Sequence, residues 1–97
     1  MAKGYWLARL DISDREVFAE YRKRNAAPLV AFGGKFIVKG GKADTMLGPK
    51  RGENVVVEFD SYDKAVTCFR SDEYQAAAQY LKRACSTIEF VIVEGSE

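Results

Sequence analysis

The 97-residue chain reads as an α+β domain built on one four-stranded antiparallel sheet with helices on a single face. Three observations predict this. Runs of period two and runs of helical spacing follow in the order strand, helix, strand, strand, helix, strand. Almost no chain is left over for linkers, so 1–97 forms one domain. The strands are also apolar on both alternating sides, where a sheet with one face in water should read polar on that side.

Tyr5 to Ile12 is the first strand, with Trp6, Ala8, Leu10 and Ile12 on one side and Tyr5, Leu7, Arg9 and Asp11 on the other. Ser13 lies three residues before Glu16, a capping-box spacing that satisfies free helix N–H groups. The helix that follows carries Val17, Phe18, Tyr21, Leu29 and Phe32. Pro28 should kink or restart it, and Gly33-Gly34 ends it. Lys35 to Lys39 is a short second strand. Gly40-Gly41 reads as a bulge or bend within it, since Ala43 to Leu47 can continue extended. Gly48 to Gly52 is loop chemistry. Asn54 to Phe59 is a valine-rich strand of the kind found at sheet centres. Asp60 or Ser61 caps a helix to about Phe69. Ser71 caps a further segment to about Ala84, with Tyr74, Ala77, Ala78 and Leu81 inward. Thr87 to Val93 is the last strand.

Two strand–helix–strand units in so short a chain are joined by right-handed crossovers, which place the helices on the same face. The outcome is a ferredoxin-like βαββαβ sandwich with strand order 4-1-3-2. If Val55, Val57 and Phe59 face the helices, Val56 and Glu58 face away. The uncovered face is too apolar to stay in water, so a second copy of the chain should cover it, sheet against sheet.

Composition narrows the functional classes. Hydrophobic residues make up 47% and charged residues 30%, which argues against disorder. Fifteen basic and fourteen acidic residues give a net charge of +1, without the basic excess of a nucleic-acid or anionic-membrane binder. The third strand also lacks the stacking aromatics that an RNA-recognition sheet needs. Cys68 and Cys85, both in helical patterns, read as reduced and buried. No apolar leader and no membrane-length run is visible, so a cytoplasmic location is expected. The sequence contains no histidine, no metal-spaced cysteines, no phosphate loop and no nucleophile motif, and it implies no cofactor or metal.

Several segments resemble the domain-of-unknown-function family numbered 1330. They are Lys3-Gly4-Tyr5-Trp6, Gly33 to Gly41, Val56 to Tyr62, Ser71-Asp72-Glu73-Tyr74-Gln75 and Val91 to Gly95. The resemblance spans essentially the whole chain and implies a dimeric α+β barrel. That superfamily also holds cofactor-independent monooxygenases, lactone isomerases and dehydratases. Two departures stand out. Asp72 occupies a position where the family often has proline, and Leu81 one where it commonly has arginine.

Candidate chemistry follows from charges set among apolar neighbours. Arg9 and Glu58 sit mid-strand and point to the uncovered face, where they would meet if the first and third strands are adjacent. A buried pair of this kind marks either a site or a structural ion pair. As a site, Arg9 would hold an oxyanion or carboxylate and Glu58 would act as base. Tyr5, Trp6 and Tyr74 would shape a ligand pocket, although core packing is the stronger account of Trp6 and of Tyr74, the latter as an anchor whose hydroxyl reaches a nearby backbone group. Lys35, Lys39, Lys42, Lys50 and Arg51 read as a solvated edge. Two functional readings survive. One is a homodimer that binds a small organic molecule in a mostly apolar cavity, with metal-free proton-transfer or oxidation chemistry. The other is a non-catalytic structural or metabolite-binding homodimer.

Overall fold

The computed structural model describes residues 2–96. Along the chain run β1 (Gly4–Ile12), α1 (Arg15–Ala31), β2 (Lys35–Lys39), β3 (Glu53–Phe59), α2 (Tyr62–Arg70), α3 (Asp72–Ala84) and β4 (Cys85–Glu94). The strands form one antiparallel sheet in the order β2-β3-β1-β4, the ferredoxin-like order read from the sequence. Trp6, Ala8, Leu10, Val57 and Phe59 point into a core shared with Ala65, Cys68, Tyr74, Ala77 and Leu81 of the helices. Trp6 is its centre. Its ring packs 4.8 Å from Tyr74, 5.0 Å from Phe59 and 5.3 Å from Phe90, and its indole N–H donates to the Ala65 carbonyl at 2.9 Å.

The helix ends show why these segments stop where they do. Ser71 closes α2 and opens α3: its hydroxyl donates to the Cys68 carbonyl at 2.7 Å and accepts from the Tyr74 N–H at 3.2 Å. Ser61 caps α2 by accepting from Lys64 N–H. The start of α1 lies one residue beyond the expected cap. Asp14 accepts from Val17 N–H, while the Ser13 hydroxyl and N–H both bond the Ala84 carbonyl at the end of α3. Ser13 is thus used to tie two elements together, and the stronger acceptor beside it takes the cap. Pro28 neither ends nor restarts α1. It falls in the last turn, where it withholds one N–H from the Arg24 carbonyl without breaking the helix, and its own carbonyl accepts from Phe32 N–H and the Cys68 thiol. Gly33, at φ 73°, then closes the helix. Gly34 N–H bonds the Leu29 carbonyl and Gly33 N–H that of Val30, a Schellman pair.

Three other expectations are corrected. β2 ends at Lys39, because Gly40 and Gly41 take φ of 72° and 88° and turn the chain out of the sheet; residues 43–47 are not strand. The bulge lies earlier, between Phe36 and Val38, so Ile37 has no cross-strand partner. Cys85 is the first residue of β4 rather than part of a helix.

Gly4 marks the tightest joint between sheet and helices. A β-carbon there would strike the Ser61 carbonyl and Tyr62 Cα, both backbone atoms that cannot yield. Gly4→Ala should therefore destabilise the fold by roughly 1–3 kcal/mol. Gly52→Ala, whose nearest atoms lie at ordinary contact distance of 3.7 Å, should stay within about 0.5 kcal/mol of the parent. Urea unfolding midpoints of the two variants test this difference.

Candidate functional site

A cavity of about 800 Å³ lies between α1 and the helix-side face of the sheet. It exists because α1 packs along α3 and its far side stands away from the strands, whose Ala8, Val55 and Val57 are among the residues beneath it. Its apolar walls include Trp6, Leu10, Phe18, Leu29 and Phe90. Exposed Arg22, Lys23, Phe36 and Lys39 rim the opening, with Glu53 paired to Arg15 at 3.5 Å. Gly34 belongs to the wall for a steric reason: a β-carbon there would fall within 3.0 Å of Phe59 and Leu29 side-chain atoms.

Polar groups enter this space from one helix. Tyr21 and Asn25, a turn apart on α1, both line it and are each 93% buried, being 7% exposed. The Tyr21 hydroxyl meets that of fully buried Tyr74, on α3, at 2.8 Å. Burial pushes the Tyr21 phenol above its ordinary 10.0, with hydrogen bonds from Tyr74 and Asn25 pulling the other way. Burial also raises Tyr74, and the neighbouring Tyr21 adds to the rise. Both phenols therefore keep their protons at neutral pH and act as donors. Burial pushes the Cys68 thiol up to about 11.

The five residues singled out in the sequence do not share one site, because the sheet divides them. Trp6 forms part of the cavity wall. Tyr74 stands behind Tyr21, and its hydroxyl meets a phenol rather than the backbone group expected of an anchoring tyrosine. Tyr5, Arg9 and Glu58 lie on the opposite, open face. There Arg9 stands across from Asn54 and Glu58 across from Tyr5, so the two charges do not pair. Arg9 donates to Asn54 Oδ1 at 3.0 Å and to the Pro49 carbonyl at 3.1 Å, and lies 3.7 Å from Glu89. Arg51 joins the same network through Glu89 at 3.0 Å and Asp11 at 3.5 Å. Glu58 accepts from the Tyr5 hydroxyl at 3.4 Å and lies 3.9 Å from Lys3.

Between these two polar groups runs an apolar row. Val38, Val56, Leu7 and Val91 are successive cross-strand partners, one from each strand. Leu7, Val38 and Val91 are 36–51% exposed. Among the described residues no three histidine, cysteine or acidic side chains are grouped to hold a metal ion, and no helix is long and apolar enough to cross a membrane.

Asn25 is the site residue that the sequence reading passed over. The stripe Phe18, Tyr21, Asn25, Leu29 has the spacing of a buried helix face, and an amide at its middle was the available signal.

The profile of one family covers residues 3–96. The chain belongs to DUF1330, a domain of unknown function. No curated protein matches it. Solved structures do. A protein of unknown function from Rhodopseudomonas palustris superposes with a TM-score of 0.78 at 16% identity, covering 99% of this chain and 84% of that one. A dimeric ferredoxin-like protein of unknown function from Bacteroides fragilis gives 0.62 at 14% identity, covering 95% of each chain. A candidate antibiotic biosynthesis monooxygenase from Caulobacter crescentus gives 0.63 at 17% identity, covering 99% of this chain and 92% of that one. At such identities the likeness concerns the fold of this DUF1330 domain.

The raised thiol has a measurable consequence. Between pH 9 and 11 the unfolded Cys68 thiol, at its ordinary 9.0, sheds a proton that the folded chain retains. Stability should thus hold up to about pH 9 and fall above it, by up to about 1.4 kcal/mol per pH unit for this group. Urea titrations across this range should show a shallower fall for Cys68→Ala than for the parent.

Proposed function

We propose that this protein is a homodimer joined through the open sheet faces, and that each protomer binds a small, mostly apolar organic molecule between α1 and the sheet. The observation that carries the binding reading is the cavity itself, apolar in its walls with the buried Tyr21 and Asn25 turned into it. A domain that needed only a core would close such a space or fill it with hydrocarbon.

The dimer reading rests on the row Val38, Val56, Leu7, Val91 and on the shape of the protomer. Its extents are 36 × 32 × 17 Å, so its broad face exceeds the roughly 800 Å² per partner of a standard interface. The dimeric ferredoxin-like protein from Bacteroides fragilis supports the same reading. Arg9 and Glu58, considered above as oxyanion holder and base, are assigned here to the flanks of that interface. Oxidation chemistry draws support from the likeness to the Caulobacter crescentus protein, which is described as a monooxygenase. One observation favours a non-catalytic binder instead: the titratable groups deepest in the site are phenols that burial keeps protonated.

Two measurements test these readings. In sedimentation the protein should run at twice its 10.9 kDa chain mass. Leu7→Asp, which sets a charge in the middle of the apolar row, should yield monomer, while Glu58→Gln stays dimeric. A monomeric parent protein would refute the assembly. The uncharged fluorophore N-phenyl-1-naphthylamine should bind the parent and bind Ala26→Trp, blocked at the cavity opening, at least about tenfold less tightly. A parent protein that leaves the dye dark would refute the cavity reading.

A further inference from the structure

We propose that the cavity selects an uncharged, largely apolar molecule carrying a carbonyl oxygen, which accepts a hydrogen bond from the Tyr21 hydroxyl. This rests on the reading of the cavity as a ligand site and adds the chemical class.

The inference comes from counting hydroxyl hydrogens. Tyr21 and Tyr74 share one hydrogen bond at 2.8 Å, which uses one of their two O–H groups. If Tyr21 donated to Tyr74, the Tyr74 hydrogen would be stranded in a fully buried side chain with no further hydroxyl partner among the described residues. An unmet buried donor is costly, so the favoured arrangement is the reverse. Tyr74 donates to Tyr21, and the Tyr21 hydrogen is left for the cavity that its side chain lines. The site therefore offers a donor that requires an acceptor.

Charge then separates the kinds of acceptor. The cations lining the cavity, Arg22, Lys23 and Lys39, are exposed at its opening. A carboxylate taken down to Tyr21 would lose its hydration without gaining an opposite charge. A ketone, ester or amide carbonyl loses far less. The rings of Trp6, Phe18 and Phe90 suit a flat apolar body attached to it.

The test uses three ligands of similar shape, 2-acetylnaphthalene, 2-isopropenylnaphthalene and 2-naphthoate, with binding measured by calorimetry. It compares Tyr74→Phe with Tyr21→Phe/Tyr74→Phe, because both lack the buried Tyr74 hydroxyl and differ only at Tyr21. The double variant should bind the ketone about 3- to 10-fold more weakly than Tyr74→Phe, with hydrocarbon binding unchanged. The parent should bind naphthoate more weakly than the ketone. Equal ketone affinity in the two variants, or naphthoate binding as tight as the ketone, would overturn the carbonyl assignment. Hydrocarbon binding would in that case leave the cavity reading standing, whereas failure of all three ligands in the parent would remove both.

Discussion

The register of β1 against its two neighbours is the constraint on which the rest depends. β1 is paired on both edges, so its alternation sets the two faces of the whole sheet. With Trp6 opposite Val57 and Ile92, the indole enters the helix-side core and Leu7 joins the row across the open face. A slip of one residue would exchange them, exposing Trp6 and driving Arg9 into the core. Gly4 enforces the register at one end, since only a residue without a side chain fits beneath the Ser61 carbonyl. At the other end, Asp11 accepts from the Gly52 N–H at 2.9 Å and holds the start of β3 in line.

The cavity follows from how α1 is held. Its closest partner is α3, and the Tyr21–Tyr74 hydroxyl contact joins the two at a point already buried. At its C-terminus the Schellman turn delivers the chain directly to β2, with Gly34 pressed against Phe59 and Leu29. Fixed to α3 along its length and to the sheet edge at its end, α1 bridges the strands rather than lying on them. Small residues below it, Ala8 above all, leave the gap unfilled.

Much of this architecture was legible because it depends on local periodicity. The element order, the strand order, the inward set Val57 and Phe59, and the cap at Ser71 that opens α3 were all readable from alternation and capping chemistry. The helix-side location of the cavity was not. Alternation assigns Arg9 and Glu58 to one face, but it carries no information about how far a helix stands from a sheet. That distance depends on contacts between α1 and α3, which are remote in sequence. The charges were consequently the prominent feature, although the structure satisfies them with Asn54, Glu89, Tyr5 and Lys3 on the open face. The quieter signal was Asn25, a lone amide within a buried helical stripe.

The two faces of the sheet place opposite demands on the same strands. The open face presents its apolar row continuously, flanked by polar groups that are already bonded to one another, as suits a flat surface that must meet another. The helix-side face does the reverse, keeping a void lined by rings and placing hydrogen-bonding groups inside it. An amide at Asn25 and a phenol at Tyr21 are poor choices for core stability alone, where leucine and phenylalanine would bury as much surface without a polar cost. Their presence in the cavity therefore supports the ligand proposed for it. Because β1 supplies both Leu7 and Ala8, the surface proposed for assembly and the floor of the cavity are adjacent residues of one strand.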